Sequence, residues 1–147
     1  MNINLQLYGS QLSLTTKDGL KYFFDPVRKK HIRLQPEEMV RQLWMLYLNN
    51  EQGYAYSSMA VEKQLIVGPE LKRRYDLVLH KKGEPVVLFE FKRFSVPLSS
   101  DTCQQIAQYN LTLKIPYLVM SNGHTHYTYK VNYQTKTIKR LTEWPIV

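Results

Sequence analysis

A hydrophobic hairpin in the middle of the chain constrains the fold most. Residues 73–93 read RRYDLVLHKKGEPVVLFEFKR, two apolar runs joined by a turn that contains Gly83. Alternate residues of a strand point to opposite sides of a sheet. One side carries the apolar residues Tyr75, Leu77, Leu79, Val87, Phe89 and Phe91, and the other carries Val78, Val86 and Leu88. Because both sides are apolar, the pattern predicts a hairpin covered by helices on both faces.

Three charged residues interrupt this apolar hairpin. Glu90 and Lys92 are two residues apart, so they share one side of the second strand. Whether Asp76 joins them depends on register, because a slip of one residue reverses every side chain. A loop of three residues (82–84) or five (81–85) pairs position 76 with position 90, whereas a loop of two or four does not. Three-residue loops with a left-handed Gly are common, which favours the pairing.

The other segments predict an α/β domain that spans residues 1–147. Short strands are expected in residues 1–35, with hairpin turns at Asp18-Gly19 and at residues 24–26. The core, residues 36–147, has the predicted order α-β-β-β-α-β, with a mixed sheet flanked by helices. Its expected elements are a helix from Pro36 to before Gly53, a strand at 59–67 with a turn at Gly68-Pro69, a helix capped by Asp101 that ends before Pro116, a strand at 115–120 and a final hairpin at 125–141.

Composition indicates a basic protein from a reducing compartment. Twenty Lys and Arg against 12 Asp and Glu give a net charge of +8, a balance typical of surfaces that meet phosphate. The single cysteine, Cys103, excludes an internal disulfide and is expected to pack inside the second helix. No signal peptide and no apolar run of membrane-spanning length is visible, so a soluble cytoplasmic protein is expected.

The charged hairpin and the segments around it carry a resemblance to a known family. Asp76 followed by Glu90-x-Lys92, on strands after an acidic helix, resembles the PD-(D/E)xK nuclease superfamily. Residues 24–42 and 101–110 resemble, more narrowly, the N-terminal nuclease domain of type I restriction enzyme R subunits in a small stand-alone form. The similarity covers residues 24–140 and implies a restriction-endonuclease-like core with an N-terminal β extension. Tyr75 stands where the family usually has Pro before the Asp.

The resemblance implies a metal-dependent deoxyribonuclease. Asp76, Glu90 and the carbonyl of Phe91 are the implied ligands of Mg²⁺, or of Mn²⁺ in its place, since Mg²⁺ prefers oxygen donors. Lys92 is the implied residue that orients and deprotonates the attacking water. Hydrolysis of DNA phosphodiesters, in restriction or defence, is the function that follows.

Two helical positions extend the implied site. A first-helix acid reaches the metal in related nucleases, and Glu37 is assigned this role because it shares the face of Val40 and Trp44, whereas Glu38 is expected to be solvated. Both acids would also suit the positive end of the helix without any catalytic role. Gln105 and Tyr109 match the Gln-x-x-x-Tyr pattern of several related nucleases and are implied to act near the phosphate.

Basic residues around the hairpin suggest how DNA is bound. The expected DNA contacts, besides Tyr109, are Arg74, Lys81, Lys82 and Arg93. No ATP-binding P-loop occurs, so a motor or specificity subunit would have to be a partner, and a homodimer is one way to obtain the two sites that duplex cleavage requires. The alternatives are a non-catalytic nucleic-acid-binding module that keeps the fold, or a DNA-repair nuclease of the same superfamily. His124 and His126 are expected to be surface residues of a turn.

Overall fold

A computed structural model describes residues 1–66 and 72–145, without the side chains of residues 63–66, 72, 73 and 109. The N-terminal region starts with a 3-10 helix, Leu5–Gln11, where strands were predicted. Three antiparallel strands follow: β1 (Leu14–Lys17), β2 (Leu20–Asp25) and β3 (Lys30–Arg33). Asp18 and Gly19 both have positive φ, 52° and 74°, as a two-residue hairpin turn requires, which confirms the turn predicted there.

Helix α1 runs from Pro36 to Asn50, as predicted. Proline suits the first turn because its missing N–H would have no partner inside the helix. The apolar face of α1 is fully buried and packs on the central sheet through Val40, Leu43, Trp44, Tyr47 and Leu48.

Six strands form the central mixed sheet, in the order β4-β5-β6-β7-β8-β9. Their bounds are Met59–Ile66, Lys72–Lys81, Glu84–Phe91, Tyr117–Ser121, His126–Asn132 and Thr137–Leu141. Only the β6–β7 pair is parallel, because helix α2 (Ser100–Tyr109) connects those two strands. The α-β-β-β-α-β order and the final hairpin are therefore confirmed, while the turn predicted at Gly68-Pro69 lies outside the described residues.

Two hydrophobic clusters cover the two faces of the central hairpin, as predicted. Leu77, Leu79, Val87 and Phe89 pack against α1, whereas Val78 and Leu88 pack against Cys103 and Ala107 of α2. Two placements were wrong. Val86, predicted on the side of Val78 and Leu88, packs against the α1 cluster. Tyr75, predicted on the side of Leu77, belongs to the α2 cluster, where its hydroxyl donates to Asn110 Oδ1 at 2.6 Å. Regular alternation along β5 is therefore interrupted next to Asp76.

The N-terminus of α2 lies two residues away from the predicted cap. Ser99 is the N-cap, and its hydroxyl accepts from the N–H of Thr102 at 3.2 Å. Asp101 lies in the first turn, where its charge still complements the positive end of the helix dipole. Both serine and aspartate are favoured caps, so local sequence alone did not separate them.

Candidate active site

The register of the β5–β6 hairpin places Asp76 opposite Glu90. The turn that produces this register differs from the three- and five-residue loops that were predicted. The turn is a two-residue one, with Lys82 at φ 52° and Gly83 at φ 81°. Such a turn alone would pair position 76 with 89, but a bulge between Leu79 and His80 shifts the register by one residue. Beyond the bulge Leu77 pairs with Phe89, and the same register continued places Asp76 across from Glu90.

A direct hydrogen bond joins the two halves of the motif. Asp76 Oδ2 accepts the main-chain N–H of Phe91, the residue between Glu90 and Lys92, at 2.6 Å. The Asp76 carboxylate is therefore held at the end of β6. Because the donor is a main-chain N–H, this contact does not depend on the side-chain conformations of Glu90 and Lys92. The side chain of Asp76 is 36% exposed, so it remains accessible from solvent.

A buried arginine on α1 contacts Asp76 from the other side. Arg41 is 6% exposed, and its Nη2 lies 3.6 Å from Asp76 Oδ1. Its Nη1 lies 2.6 Å from Glu38 Oε2 and 3.9 Å from Glu62 Oε1. The Arg41 Nε is also buried and has no hydrogen-bond partner within residues 1–66 and 72–145. One guanidinium thus joins three carboxylates around the candidate site.

Glu38 anchors this arginine, which corrects the assignment of the helical acid. Glu38 is 8% exposed and contacts both Arg28 and Arg41, while Glu37 is exposed to solvent. The predicted orientation of these two acids was wrong because the first turn of α1 faces Arg28, a residue from the loop after β2. Gln42 Nε2 completes the arrangement with bonds of 2.8 Å to Asp25 and 3.1 Å to Glu38. Buried charges require such partners, since an unpaired one is very costly.

These contacts form a continuous charged chain from the N-terminal sheet to the candidate site. Asp25 is fully buried at the end of β2 and accepts from Arg28 Nε at 2.9 Å. Arg28 contacts Glu38, Glu38 contacts Arg41, and Arg41 contacts Asp76. We call this series, Asp25, Arg28, Glu38, Arg41 and Asp76, the ion-pair chain.

Glu62 is a residue of the candidate site that sequence reasoning missed. Its neighbours on β4, Val61 and Lys63, pair with Leu77 and Tyr75, so Glu62 lies opposite Asp76. Its φ of 55° is left-handed, which costs a residue with a β-carbon about 1 kcal/mol. The carboxylate lies 3.2 Å from Arg74 Nη2 as well as near Arg41. Strained residues of this kind concentrate at functional sites.

Glu90 and Lys92 complete the motif on the α2 side. The negative charge of Glu90 contributes to raising the pKa of Cys103 to about 11, although burial of the thiol is the larger cause. Glu90 is therefore within electrostatic reach of α2, while Cys103 is held as a thiol and is buried, as predicted. Lys92 directly follows β6, is exposed, and its N–H donates to the carbonyl of Ser121 at 2.9 Å.

The remaining predicted residues are spread over the molecule. Gln105 is exposed on α2, and the side chain of Tyr109 lies outside what the structure describes. Arg74 and Arg93 are exposed near the charged end of the hairpin, two residues before Asp76 and directly after Lys92. Lys81 and Lys82 are exposed at the opposite end, at the hairpin tip. Five residues of strand separate Lys81 from Asp76, a distance of about 16 Å.

The prediction for His126 was wrong, and that for His124 is confirmed. His124 is exposed, but His126 is 4% exposed at the start of β8. The carbonyl of Ile3 lies 2.9 Å from Nε2, so Nε2 carries the proton, and Ser121 Oγ lies 2.8 Å from Nδ1. Burial lowers the pKa of His126 by disfavouring the charged ring.

Oxygen donors suitable for Mg²⁺ are present on the hairpin. Asp76 and Glu90 offer carboxylates on facing strands, and Phe91 offers a main-chain carbonyl, the hard donors that Mg²⁺ prefers. Within the described part of the chain, no three or more His, Cys, Asp and Glu side chains converge on one metal position. A site with two carboxylates and a carbonyl needs no third acidic or histidine side chain.

Comparisons with known proteins identify the family. No helix of the described residues is long and apolar enough to cross a membrane. No curated protein sequence matches the chain. Residues 36–145, from the first turn of α1 to the segment after β9, match the family described as "Type I restriction enzyme R protein N terminus". The match covers the helix with Glu38 and Arg41, the Asp76–Lys92 hairpin and α2, and the chain therefore belongs to this family of restriction enzyme N-terminal domains.

Proposed function

We propose that this chain is a metal-dependent DNA endonuclease of the PD-(D/E)xK type that acts in DNA restriction. The observation that carries the proposal is the hydrogen bond of 2.6 Å between Asp76 Oδ2 and the N–H of Phe91. It ties the aspartate of the motif to the Glu90-x-Lys92 end of the next strand. Membership of the restriction enzyme family supplies independent support for a nuclease role.

Asp76, Glu90 and the carbonyl of Phe91 are the residues that would hold the cation. Mg²⁺ bound there, or Mn²⁺ in its place, would neutralise charge on the scissile phosphate and make a bound water more acidic. The donor set fits a hard cation, because all three groups are oxygens. The exposed face of Asp76 leaves room for water and a phosphate oxygen to approach.

Lys92 is the residue proposed to act on the attacking water. It is exposed at the end of β6, next to Phe91, so its amino group is accessible to substrate. The hydrogen bond from its own N–H to Ser121 fixes its backbone to β7. The side chain would orient a water molecule toward the phosphorus and help to remove its proton as the new P–O bond forms. The P–O bond to the leaving sugar oxygen would break at the same time, and that oxygen would take a proton from solvent.

Glu38 and Arg41 are proposed as positioning residues. Arg41 contacts Asp76 Oδ1 while the N–H of Phe91 contacts Oδ2, so both oxygens of this carboxylate are oriented. Glu38 holds Arg41 in place from within the protein. The helical acid would therefore support the site through Arg41, and a direct metal role for Glu37 is not supported by its exposed position.

DNA would approach the charged end of the hairpin. Arg74 and Arg93 are exposed there and would neutralise phosphates next to the cleaved bond. Gln105 and Tyr109 of α2 would act near the phosphate, as the family pattern implies. Lys81 and Lys82 would contact phosphates farther along the duplex. A motor or specificity subunit would direct cleavage in a restriction complex, and a second copy would supply the cut in the opposite strand.

Cleavage of defined DNA substrates tests this function. Purified protein would be incubated with labelled linear, nicked and branched DNA in Mg²⁺, in Mn²⁺ and in EDTA. We expect metal-dependent cleavage of at least one substrate, and Lys92→Ala should slow it at least about 100-fold, the usual size of a general acid-base contribution. Lys114→Ala, which removes an exposed lysine outside the motif, should cleave like the wild type.

The same experiment addresses the alternative, a non-catalytic DNA-binding module. The pairing of Asp76 with Arg41 favours it, because a fixed cation already neutralises part of the charge where a metal would bind. DNA binding without cleavage of any substrate in either metal would establish that alternative. Cleavage that persists in Lys92→Ala at the wild-type rate would instead remove Lys92 from the mechanism.

A further inference from the structure

The N-terminal sheet is partly buried on one face, the inner face, and open on the other, the outer face. Phe23 and Asp25, on the inner face, are 1% and 0% exposed. The outer face is built from residues that pair across the three strands: Lys17 with Leu20, Thr15 and Arg33 with Tyr22, and His31 with Phe24. We call Thr15, Lys17, Tyr22, Phe24, His31 and Arg33 the outer-sheet face.

Aromatic rings are presented to solvent on this face. Phe24 is 42% exposed, and its ring packs edge-on against that of His31 with the centroids 5.3 Å apart. Tyr22 lies beside them, between Thr15 and Arg33, and is partly exposed. A shallow groove is lined by Thr15, Lys17, Tyr22 and His31. Neighbouring exposed rings on an open sheet face are uncommon unless something packs on them.

Basic residues are interleaved with these rings. Residues 14–33 contain six Lys and Arg but only two Asp, which accounts for four of the eight net positive charges of the chain. One of the two acids, Asp25, is buried on the inner face and paired with Arg28. Lys17 and Arg33 therefore stand beside the rings, and the other acid of residues 14–33 is Asp18, in the adjoining turn.

We propose that the outer-sheet face binds single-stranded DNA. Exposed aromatic rings stack with bases, and every base has a flat face, so the contact tolerates any sequence. A duplex keeps its bases stacked on one another, so only an unpaired strand can use the rings. Lys17 and Arg33 complement the phosphates of the same strand. Three strands carrying two rings and His31 would accommodate about two bases.

The location of this face connects it with the candidate active site. Strand β2, which carries Tyr22 and Phe24, ends at Asp25, where the ion-pair chain to Asp76 begins. The family match starts at residue 36, so the outer-sheet face lies outside the matched region. The choice of DNA as the nucleic acid rests on the proposed function, and the face would hold an unpaired strand next to the cleavage site.

Binding without metal tests the proposal separately from cleavage. Fluorescence anisotropy in EDTA would compare a labelled dT20 strand with a 20-base-pair duplex. Tyr22→Ala/Phe24→Ala should weaken binding of dT20 at least about tenfold, because loss of stacking reduces affinity by that much per base or more. Duplex affinity should change less than about threefold. Tyr133→Ala, which removes an exposed tyrosine from the turn between β8 and β9, should leave both affinities unchanged.

Three further variants identify the interaction. Phe24→Tyr keeps a ring and should retain binding of dT20, whereas Phe24→Leu keeps only apolar bulk and should lose it. Arg33→Ala should reduce the slope of log affinity against log salt by about 0.7, the value for one phosphate of a single strand. Circular dichroism and thermal melting would verify that each variant is folded, as expected for exposed positions.

Several outcomes would overturn the proposal. Unchanged dT20 affinity in a folded Tyr22→Ala/Phe24→Ala variant would exclude the face as a DNA site. Equal losses for strand and duplex would exclude single-strand recognition, and tighter binding of rU20 than of dT20 would make RNA the ligand. If light scattering shows that the Tyr22→Ala/Phe24→Ala variant differs from the wild type in oligomeric state, the face would be assigned to contact with a second copy of the chain.

The outcome for this face is distinguishable from that for the proposed function. Cleavage in Mg²⁺ that is unaffected by Tyr22→Ala/Phe24→Ala, together with unchanged binding, would reject the face and keep the nuclease. Ring-dependent binding of dT20 by a protein that cleaves no DNA would reject the nuclease and keep the face.

Discussion

The two helices that flank the central hairpin contribute to it in different ways. Helix α1 buries Glu38, Arg41 and Gln42 beside its apolar face, and Arg41 reaches Asp76. Helix α2 buries Cys103 and Ala107, and the segment after it contacts β5 through a neutral hydrogen bond from Tyr75 to Asn110. One side of the sheet is therefore held partly by charges, and the other by apolar packing and a neutral bond.

This difference indicates where the chemistry is supported. Buried ions are costly unless they are paired, and an apolar replacement of similar size often gives equal or greater stability. A chain of five charged residues, three of which are buried (Asp25, Glu38 and Arg41), ends at Asp76 and is therefore better explained by a role at that carboxylate than by stability. The buried residues that α2 itself contributes, Cys103 and Ala107, are those expected of packing alone, although Glu90 and Lys92 of the motif lie on the same side of the sheet.

The largest expected effect comes from breaking the ion-pair chain on the α1 side. Arg41→Met keeps the size of the side chain but leaves Glu38 with one arginine in place of two, so unfolding in urea should show a loss of about 3 kcal/mol. Cleavage should also fall, because Asp76 Oδ1 loses its contact. The double variant Glu38→Gln/Arg41→Met should recover much of the stability without the activity. If the double variant recovers both stability and cleavage, the ion-pair chain has only a structural role.

On the α2 side, a matched change should affect stability alone. Tyr75→Phe removes the hydroxyl that donates to Asn110 and should cost about 1 to 2 kcal/mol, as expected for a lost buried hydrogen bond. Urea unfolding would measure the loss, and single-turnover cleavage at saturating DNA should match that of the wild type. A drop in cleavage as large as that of Arg41→Met would remove the distinction between the two sides.

Substitution of Glu62, the strained residue opposite Asp76, should have a smaller effect on stability. Unusually, glycine should be more favourable than alanine at this position. Glu62→Gly and Glu62→Ala both remove the carboxylate, but only glycine adopts a φ of 55° without strain. The glycine variant should therefore be more stable than the alanine variant by about 1 kcal/mol, measured by urea unfolding. Both should cleave more slowly than the wild type. Equal stability of the two variants would mean that β4 relaxes once the side chain is gone.

Local patterns in the sequence predicted most of the fold. Pro36 marks the start of α1, Asp18-Gly19 forms the expected turn, and the two apolar sides of the hairpin are covered by helices. The exception at α2 arose because Ser99 and Asp101 are both favoured caps. The 3-10 helix at Leu5–Gln11 was missed because its packing on the core, through Leu5 and Tyr8, is a tertiary contact.

The candidate site was predicted less completely from the sequence than the fold was. Asp76 was expected to lie opposite Glu90 because of a three- or five-residue loop. In the structure a two-residue turn and a bulge together produce the same register as such a loop. Glu37 was preferred to Glu38 because a helical pattern cannot reveal Arg28, ten residues away, as a partner. Glu62 had no signal at all, since its left-handed φ occurs in a segment with ordinary strand composition.

The smallest expected effect is a pH dependence on the α1 side, where the His126 ring packs edge-on against Trp44. The pKa of His126 is lowered in the folded protein, chiefly by burial, so the unfolded chain binds the proton more readily. Stability should therefore decline as pH falls below the unfolded value of about 6.5, and level off below the folded pKa. His126→Gln should remove this part of the decline in urea unfolding, whereas His31→Gln, at an exposed position, should retain it.

Single-turnover cleavage by charge-neutral variants of the two facing carboxylates tests the central claim most directly. Asp76→Asn and Glu90→Gln would be compared in Mg²⁺ with Asp101→Asn and Glu84→Gln, which make the same changes at exposed positions outside the site. We predict that the first two lose cleavage at least about 100-fold while the matched controls retain the wild-type rate. Wild-type cleavage by folded Asp76→Asn or Glu90→Gln would contradict the account.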